Sequence, residues 1–318
     1  MAGIVIKGTG KSAGDQVVTN DNLAEIVDTS DQWIRRKTGI RSRHFAKNMT
    51  NADMAAEAAA EALKNSGIDK SDVAAIVVCT FSADNKTPAM ACSVAKSLGI
   101  GGEVLLFDLN GACSGFIYGC KVAEGLLRAE PGKYAIVIGS EKISPWMDME
   151  DRGTCVLFGD GAGACVVAYR ENCDFTFFGA SNPDIDVLKC PQGGKIQMSG
   201  QEVYRFAVSK VPECIDKVLE KSGKTTEDVD YFVCHQANER IIDNVAARVS
   251  RRDDERFYKN IYGYGNTSAA SIPIAISHMD EEGLLKKGTT LLCTGFGAGL
   301  TYGGMLIEYR GNGKDNEN

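Results

Sequence analysis

The chain of 318 residues contains the same pattern twice. In each copy a helix-like segment ends at a Ser-Gly pair, at Gly67 and again at Gly223, and a Val- and Ile-rich run follows after a short loop. A second apolar run ends at Gly139 in the first copy and at Gly295 in the second, in both cases 72 residues after the Ser-Gly glycine. Because helices alternate with short buried-type strands, the repeat predicts an α/β fold of two βαβ-rich halves.

The last apolar run of each copy, residues 163–169 and 303–309, follows a glycine-rich turn with no helical pattern before it. Each half is therefore predicted to end in an antiparallel pair of strands, and the halves are expected to pack face to face. The chain turns polar over residues 169–174. We place the boundary there, with an N-terminal half at 1–172 and a C-terminal half at 173–318.

Composition excludes several classes of protein. The formal net charge is -7, which disfavours general nucleic-acid binding. Eleven cysteines, an odd number with no C-x-x-C pair, argue against a disulfide framework and a zinc site. The sequence shows neither a signal-peptide pattern nor an apolar run long enough to span a bilayer, so a soluble cytoplasmic protein without membrane partners is expected.

Cys113 lies where an apolar strand pattern breaks at Asn110-Gly111 and a helical pattern begins. The positive end of a helix dipole favours an anion, so a thiol at this corner is expected to ionise readily. Because the thiolate is the nucleophilic form, the position predicts an acyl-accepting cysteine. The other cysteines are interpreted as small core residues.

Two polar residues of the second half are candidate partners. His235 directly follows a buried-strand pattern, and open α/β sheets gather their sites at the carboxyl ends of strands. Asn266 opens a glycine-led turn into a helix of small residues, 43 residues after Gly223, whereas Cys113 lies 46 residues after Gly67. Asn266 and Cys113 are therefore predicted to occupy related places in the two halves.

Glycine-rich segments need separate interpretations. Residues 295–304 can bring backbone N–H groups close to a ligand. Residues 8–12 resemble the end of a phosphate-binding loop, but that motif requires glycine where the chain has Val5. Residues 8–14 also lack the spacing of a dinucleotide-binding turn, so neither nucleotide motif is supported.

Several motifs together are more specific than any one of them. In chain order they are Thr29–Ile34, Gly39–Arg41, Gly111–Gly115, His235–Asn238, Gly265–Ser271 and Gly295–Gly299. With them, the chain resembles β-ketoacyl-acyl-carrier-protein synthase III over essentially its whole length. The resemblance implies a thiolase-like fold, in which a duplicated unit gives a five-layered α-β-α-β-α architecture, and it implies a homodimer.

The resemblance also implies the chemistry, an acyl transfer followed by a decarboxylative Claisen condensation that initiates fatty acid synthesis. An acyl group from an acyl-CoA is expected on Cys113 as a thioester, and a malonyl unit on acyl carrier protein then loses CO2 and attacks it. Two hydrogen-bond donors, His235 and Asn266, suit the developing enolate. The oxyanion hole of the first step is expected to use the backbone N–H groups of Cys113 and Ala298. At the position of Ala298 the family often has glycine. No metal or cofactor is expected.

Binding residues transfer from the family position by position. Trp33 and Arg152 match residues that sandwich the adenine of coenzyme A, and Asn238 matches a residue near the pantetheine arm. Lys37 stands where the family has a second arginine of this site. The docking patch for the acidic carrier protein is expected at or next to three basic residues, Arg205, Arg240 and Arg248.

Two residues are assigned to the acyl pocket. Thr87 lies in a segment that matches the loop closing this pocket across the dimer, where some relatives have phenylalanine, and Phe296 matches a residue that shields the malonyl site. The smaller Thr87 side chain predicts tolerance of primers longer or more branched than acetyl. The segment Ser181–Gly200 is short compared with typical relatives and is expected to reshape the tunnel.

Other functions remain open at this stage. A related thiolase-fold condensing enzyme of secondary metabolism, with a different acyl substrate, is the nearest alternative. Hydroxymethylglutaryl-CoA synthesis would need an active-site glutamate, which no motif supplies. A Cys-His-Asn thioester hydrolase uses the same residue types, but the Gly265–Ser271 turn and the duplication favour condensation. A non-catalytic binding protein is least favoured, because all three reactive residues are present.

Overall fold

A computed structural model describes residues 2–312 of the chain. The elements of the first half are β1 (Gly3–Ala13), β2 (Gln16–Thr19), α1 (Asn20–Ala24), α2 (Asp31–Thr38), β3 (Ser42–Phe45), α3 (Asn51–Ser66), β4 (Val73–Cys79), α4 (Met90–Leu98), β5 (Leu105–Leu109), α5 (Gly115–Leu127), β6 (Tyr134–Glu141) and β7 (Gly161–Arg170). Those of the second half are β8 (Thr176–Asp184), β9 (Leu188–Lys189), β10 (Gln197–Met198), α6 (Gly200–Ser222), β11 (Tyr231–Cys234), α7 (Glu239–Val249), α8 (Ile261–Tyr264), α9 (Ser271–Glu281), β12 (Thr289–Gly297) and β13 (Gly299–Tyr309). The predicted boundary between residues 172 and 173 falls between β7 and β8.

The strand order repeats between the halves. The first half has the order β1-β7-β6-β4-β5, and the second has β8-β13-β12-β11. In both, the last two strands pair antiparallel, β6 with β7 and β12 with β13, as the sequence predicted. The place of β5 is taken in the second half by a single bridge between Phe232 and Phe257. The duplication inferred from residue spacing is thus a duplication of sheet topology.

The layers follow from which faces of the strands are covered. Helices α3 and α4 pack on the outer face of the first-half strands, and α6 covers the second-half strands, with α7 packed beside it in the same apolar cluster. Helices α5 and α9 contact strands of both halves and form the central layer, whose apolar cluster includes Ile117, Val137 and Leu291. Strands β1 and β13 pair in parallel, so hydrogen bonding continues from one half into the other. The α-β-α-β-α arrangement is therefore present.

Matched helix ends position the two halves. Helix α3 begins with a capping box between Thr50 and Asp53, and it ends at Gly67 in the left-handed conformation, with φ of 65°. Helix α6 ends in the same way at Gly223, with φ of 68°. Glycine adopts the left-handed conformation at little energetic cost. Both Ser-Gly pairs therefore end their helices, and the chain continues from them toward β4 and β11.

No helix within residues 2–312 combines the length and apolar composition that crossing a bilayer requires.

Candidate active site

Both halves build the same corner in front of a central helix. In the first, Asn110 Oδ1 accepts a hydrogen bond from the N–H of Ala112 at 3.1 Å, and Ala112 has a positive φ of 45°. In the second, Asn266 Oδ1 accepts from the N–H of Ser268 at 2.9 Å, and Ser268 has a φ of 51°. The counterpart of Asn266 is thus Asn110, three residues before Cys113. Asn266 and Cys113 therefore lie at matching corners of the two halves, as predicted, but Cys113 lies three residues further along its corner than Asn266 does.

The backbone and side chain of Asn266 are both fixed. Its N–H donates to the carbonyl of Leu157 at 2.8 Å, and its carbonyl accepts from the N–H of Gly159 at 3.0 Å. Since the N–H of Ser268 occupies the side-chain oxygen, the amide NH2 is the end available to a ligand.

Cys113 lies in a short 3-10 turn, Ala112–Ser114, directly before α5, and is 8% exposed. Gly297 packs against it so closely that a Cβ there would lie 2.8 Å from the Cys113 nitrogen. The glycine-rich turn therefore brings bare backbone against the thiol, as the sequence indicated.

The expected ease of ionisation of Cys113 is wrong. Burial raises the pKa of the thiol to about 12, and the charge of Glu141 acts in the same direction. The neighbouring Ser268 hydroxyl opposes these effects without reversing them. Loss of water costs the thiolate more than the neighbouring donors return, so burial opposes ionisation of the Cys113 thiol.

His235 follows the end of β11 and is anchored by its N–H, which donates to the carbonyl of Thr294 at 2.7 Å. Its Nδ1 lies 2.6 Å from the hydroxyl oxygen of Ser271, which also accepts the N–H of Gln236 at 3.3 Å. Since Ser271 occupies Nδ1, Nε2 is the ring nitrogen available to a ligand, and the tautomer in which the Ser271 hydroxyl donates to Nδ1 has its ring proton on Nε2. Burial lowers the pKa of His235 to about 3, so the ring is a neutral donor.

The depressed pKa of His235 has a consequence for stability. The unfolded imidazole takes up a proton near pH 6.5 while the folded one does not, so stability is complete above pH 6.5 and falls as pH drops toward about 3. Between pH 6.5 and pH 5 the loss amounts to about 2 kcal/mol. Urea unfolding of His235→Gln at pH 7 and pH 5 should show a pH dependence smaller by about this amount. His278→Gln is the control, and equal pH dependence in the wild type and His235→Gln would contradict the assignment.

Cys113 lies between two cavities. The first, which we call the His235 cavity, has a volume of about 190 Å³ and is lined by Cys113, His235, Asn266 and Phe296 among others. The second, the Ser268 cavity, has a volume of about 330 Å³ and includes Cys113, Ser268 and Ala298 in its wall. Cys113 thus reaches two hydrogen-bond donors on one side and a largely apolar space on the other.

Comparison with known proteins identifies the family. A profile described as 3-oxoacyl-[acyl-carrier-protein (ACP)] synthase III matches residues 107–182, and its C-terminal counterpart matches residues 219–309. The β-ketoacyl-[acyl-carrier-protein] synthase III of Clostridium acetobutylicum is 40% identical, over 97% of this chain and 99% of that protein. That of Clostridium botulinum strain Loch Maree is 43% identical over the same shares.

The chain belongs to the β-ketoacyl-[acyl-carrier-protein] synthase III family. As a synthase III family member it is an acyltransferase of the condensing class. Solved structures agree: the enzyme of Aquifex aeolicus superposes with a TM-score of 0.92 at 41% identity, over 96% of this chain and all of that one. The priming β-ketosynthase of the R1128 polyketide pathway gives a TM-score of 0.91 at 30% identity, over 96% of each chain. The predicted family and thiolase-like fold are confirmed.

The residues that the synthase III resemblance assigned to coenzyme A lie near the His235 cavity. Asn238 lines this cavity, caps α7 by accepting the N–H of Arg240, and donates to the carbonyl of Lys37 at 3.1 Å. Arg152 lies directly over the indole of Trp33, 4.8 Å from the ring centroid. An adenine ring sandwiched by this pair would therefore require Arg152 to swing away.

The three predicted docking arginines are exposed on α6 and α7. Arg240 lies 5.7 Å from the ring centroid of Tyr204, which lines the His235 cavity, and Arg205 is the next residue along α6. Arg248 donates to the carbonyl of Val208 and ties α7 to α6. The patch therefore adjoins the mouth of the cavity.

The acyl-pocket residues are separated in the structure. Phe296 lines the His235 cavity, with its ring edge-on to the His235 imidazole at 5.3 Å, and does not line the Ser268 cavity. Thr87 is exposed and lines neither cavity of its own chain. Ala298 lies at the turn between β12 and β13, in the wall of the Ser268 cavity.

Sequence reasoning missed Glu141, the last residue of β6, which is fully buried and acts on Cys113 through its charge. The signal was available, because Glu141 ends an apolar strand just as His235 follows one. Within residues 2–312, no three His, Cys, Asp or Glu side chains are grouped so as to hold a metal ion.

Proposed function

We propose that the protein condenses an acyl-CoA primer with malonyl-acyl carrier protein and so initiates fatty acid synthesis. The observation that carries this proposal is the position of Cys113, which lines both cavities, with His235 and Asn266 in only one of them. One cavity then holds the reacting thioester, and the other takes the acyl chain.

In the first step the Cys113 sulfur attacks the carbonyl carbon of the primer thioester, and coenzyme A leaves. The oxyanion formed is stabilised by the backbone N–H groups of Cys113 and Ala298, which border the same cavity. Gly297 supports this arrangement because it allows the β12–β13 turn to approach the thiol closely.

In the second step the malonyl group loses CO2, and negative charge develops on its thioester oxygen. His235 and Asn266 offer Nε2–H and Nδ2–H to this oxygen, because Ser271 and Ser268 occupy their other polar atoms. A His235 pKa of about 3 keeps the ring a donor that does not protonate the enolate carbon. The enolate then attacks the thioester on Cys113, and both steps run on side chains and backbone without a cofactor.

Substrate binding uses the rim of the His235 cavity. Trp33 and Arg152 are proposed to hold the adenine of coenzyme A, with Lys37 beside them and Asn238 at the pantetheine arm. The patch of Arg205, Arg240 and Arg248 suits the acidic carrier protein, and its confinement to α6 and α7 fits a chain of net charge -7.

A homodimer of two-half subunits is also proposed. Strand β5 ends the sheet, so its outer edge has no strand partner among residues 2–312, and Leu105 on it is 54% exposed. Ile185, in the wall of the Ser268 cavity, is 75% exposed. A second copy covering this region would remove apolar surface from water and bring its Thr87 segment toward the cavity.

The Ser268 cavity predicts the primer. Its apolar wall residues are Phe81, Phe158, Ile185, Leu188 and Ile196, and the volume of about 330 Å³ exceeds the need of an acetyl group. We expect isobutyryl- and isovaleryl-CoA to label Cys113 at least as fast as acetyl-CoA does. The labelling is measured as the increase in intact protein mass over time. Thr87→Phe should shift labelling toward acetyl, with Thr87→Val as the control of equal size. Acetyl-only labelling of the wild type would contradict the prediction.

The condensing function is tested by its product. Wild-type protein incubated with acyl-CoA and malonyl-carrier protein should give 3-oxoacyl-carrier protein, measured by intact mass, together with labelled CO2. Free carboxylic acid from the acyl-enzyme, without a condensed product, would support the hydrolase alternative and refute the proposal.

A priming synthase of secondary metabolism is the second candidate, because the R1128 priming β-ketosynthase shares the fold at 30% identity. The identities of 40% and 43% with the clostridial synthases favour fatty acid synthesis.

A further inference from the structure

Arg43 on β3 has a fully buried side chain. Its Nη1 donates to the side-chain oxygen of Asn20 at 2.9 Å and to the carbonyl of Val18 at 3.3 Å. Its Nη2 donates to the carbonyl of Val156 at 2.8 Å. Within residues 2–312, no carboxylate pairs with this guanidinium, and its Nε has no hydrogen-bond partner. The planar group therefore joins two separate parts of the chain through neutral acceptors alone.

A buried guanidinium without a carboxylate partner costs stability, because its charge has been removed from water. Burial lowers the pKa of Arg43 to about 10, so the side chain keeps its charge at neutral pH. A methionine would fill much of the same space without this cost. Methionine has no fork of N–H groups, so an arginine at this position is explained by what the fork holds in place.

The Nη1 side of the fork is anchored at the base of α2. The side-chain NH2 of Asn20 donates to the carboxylate of Asp31 at 2.9 Å and to the carbonyl of Ile40 at 2.8 Å. Asp31 is the first residue of α2, and Ile40 follows its C-terminal end. Asn20 thereby connects both ends of this helix, and its side-chain oxygen receives Arg43. One side of the fork is therefore fixed in position.

The Nη2 side of the fork reaches the segment that holds Asn266. We call residues 156–159 the bridging segment, because they carry the hydrogen bonds to the Asn266 backbone. The Leu157 carbonyl accepts the Asn266 N–H at 2.8 Å, and the Gly159 N–H donates to the Asn266 carbonyl at 3.0 Å. The bridging segment receives the hydrogen bond from Arg43 one residue before Leu157. The guanidinium therefore holds the strand on which the backbone position of Asn266 depends.

The stem of Arg43 also packs against both sides of this contact. A Cβ atom added to Gly159 would lie 3.0 Å from the Arg43 Cβ, and one added to Gly265 would lie 3.3 Å from it. Gly265 directly precedes Asn266 and has a φ of 67°. Both glycines leave room for the arginine stem, so Arg43 contacts the bridging segment and the Asn266 turn at the same time.

We propose that Arg43 is a positioning residue for Asn266, an inference that rests on the proposed condensing function. Arg43 lines neither cavity at Cys113, so any effect on the reaction passes through other residues. It holds the bridging segment in register with Asn266, and the amide NH2 of Asn266 is thereby directed at the thioester oxygen of the malonyl group. The effect of Arg43 is therefore expected on decarboxylation, the step in which this donor acts.

The role of Arg43 is tested by measuring decarboxylation of malonyl-carrier protein and acylation of Cys113 in Arg43→Lys. Lysine keeps the charge, but its single nitrogen cannot hold both sides of the fork. We expect kcat for decarboxylation to fall about tenfold with KM for malonyl-carrier protein unchanged, because a displaced donor loses its alignment. Acylation of Cys113 should change by less than about twofold. Arg43→Met, which removes every hydrogen bond of the fork, should show the same division with a larger loss, and it decides the test if Arg43→Lys does not fold.

A double variant shows whether Arg43 acts through Asn266. In the Asn266→Ala background the donor is already absent, so Arg43→Lys should cause no further fall in decarboxylation. Equal losses in the wild-type and Asn266→Ala backgrounds would overturn the proposal. Arg256→Lys is the matched control, since that guanidinium also holds backbone carbonyls, those of Thr226 and Val229, away from both cavities. It should leave the ratio of decarboxylation to acylation at the wild-type value.

Amide hydrogen exchange, followed by mass spectrometry, tests the same connection without any substrate. The N–H of Ser268 is held by Asn266, and that of Ala112 is held by Asn110 in the matching corner. Arg43→Lys should speed exchange at Ser268 by about tenfold and leave Ala112 unchanged, whereas a general loss of stability would speed both. Unchanged exchange at Ser268, or equal acceleration at both corners, would contradict the role of Arg43. A wild type that forms no 3-oxoacyl product would refute the condensing function instead, and the exchange result would still decide whether Arg43 positions Asn266.

Discussion

Replacing Cys113 by alanine is expected to abolish acyl transfer to the protein and, with it, condensation. Without the sulfur no acyl-enzyme forms, so the increase in protein mass after incubation with acyl-CoA should disappear. Product formation should fall by about 10⁴-fold or more, the scale on which loss of a nucleophile acts. His235 and Asn266 remain in place, so release of CO2 from malonyl-carrier protein should survive.

The control for this experiment is Cys92→Ala, which removes a partly exposed thiol on α4. It should acylate and condense like the wild type. Condensation that persists in folded Cys113→Ala would show that the covalent intermediate is not on the pathway.

His235→Ala and Asn266→Ala should have the opposite effect to Cys113→Ala: decarboxylation should be slowed while acyl transfer is largely kept. Each removes one donor to the enolate oxygen, which costs about 10²- to 10³-fold in the decarboxylation rate. Acyl transfer to Cys113 relies on backbone N–H groups and should fall much less. Single-turnover mass labelling and CO2 release, measured on the same samples, separate the two effects.

His278→Ala is the control for these variants. It removes an imidazole from the exposed side of α9, where its Nδ1 lies 3.1 Å from the Tyr258 hydroxyl, away from the Cys113 cavities. Equal loss of acyl transfer and decarboxylation in His235→Ala would assign that residue to the first step as well.

Much of the fold was predictable, because it depends on periodicity. The apolar runs ending at Cys79, Gly139, Cys234 and Gly295 are all strands or parts of strands, and the Ser-Gly helix ends are both present. The repeat predicted two copies of one unit, and the strand order repeats between the halves except at β5. The continuous hydrogen bonding through β1 and β13 was not predictable, because it depends on how the halves meet.

The positions of the site residues were predictable from the sequence, but their ionisation was not. Motifs placed Cys113, His235 and Asn266, and the structure brings all three to one cavity. The ionisation of Cys113 was predicted with the wrong sign, because a strand-to-helix corner reveals a dipole and not the depth of burial. Glu141 escaped notice for the same reason, since its importance comes from a partner 127 residues away in sequence.

The paired corners at Asn110 and Asn266 also bear on how this molecule arose. Two fused copies of one ancestral unit would have presented identical corners to each other across the central helices. Under the proposed function the first corner holds a covalent group and the second stabilises charge, although both have the same asparagine turn. On that proposal neither half contains all three reactive groups, so we expect a mutation that loosens the contact between the halves to disable the chemistry even where Cys113, His235 and Asn266 are unchanged.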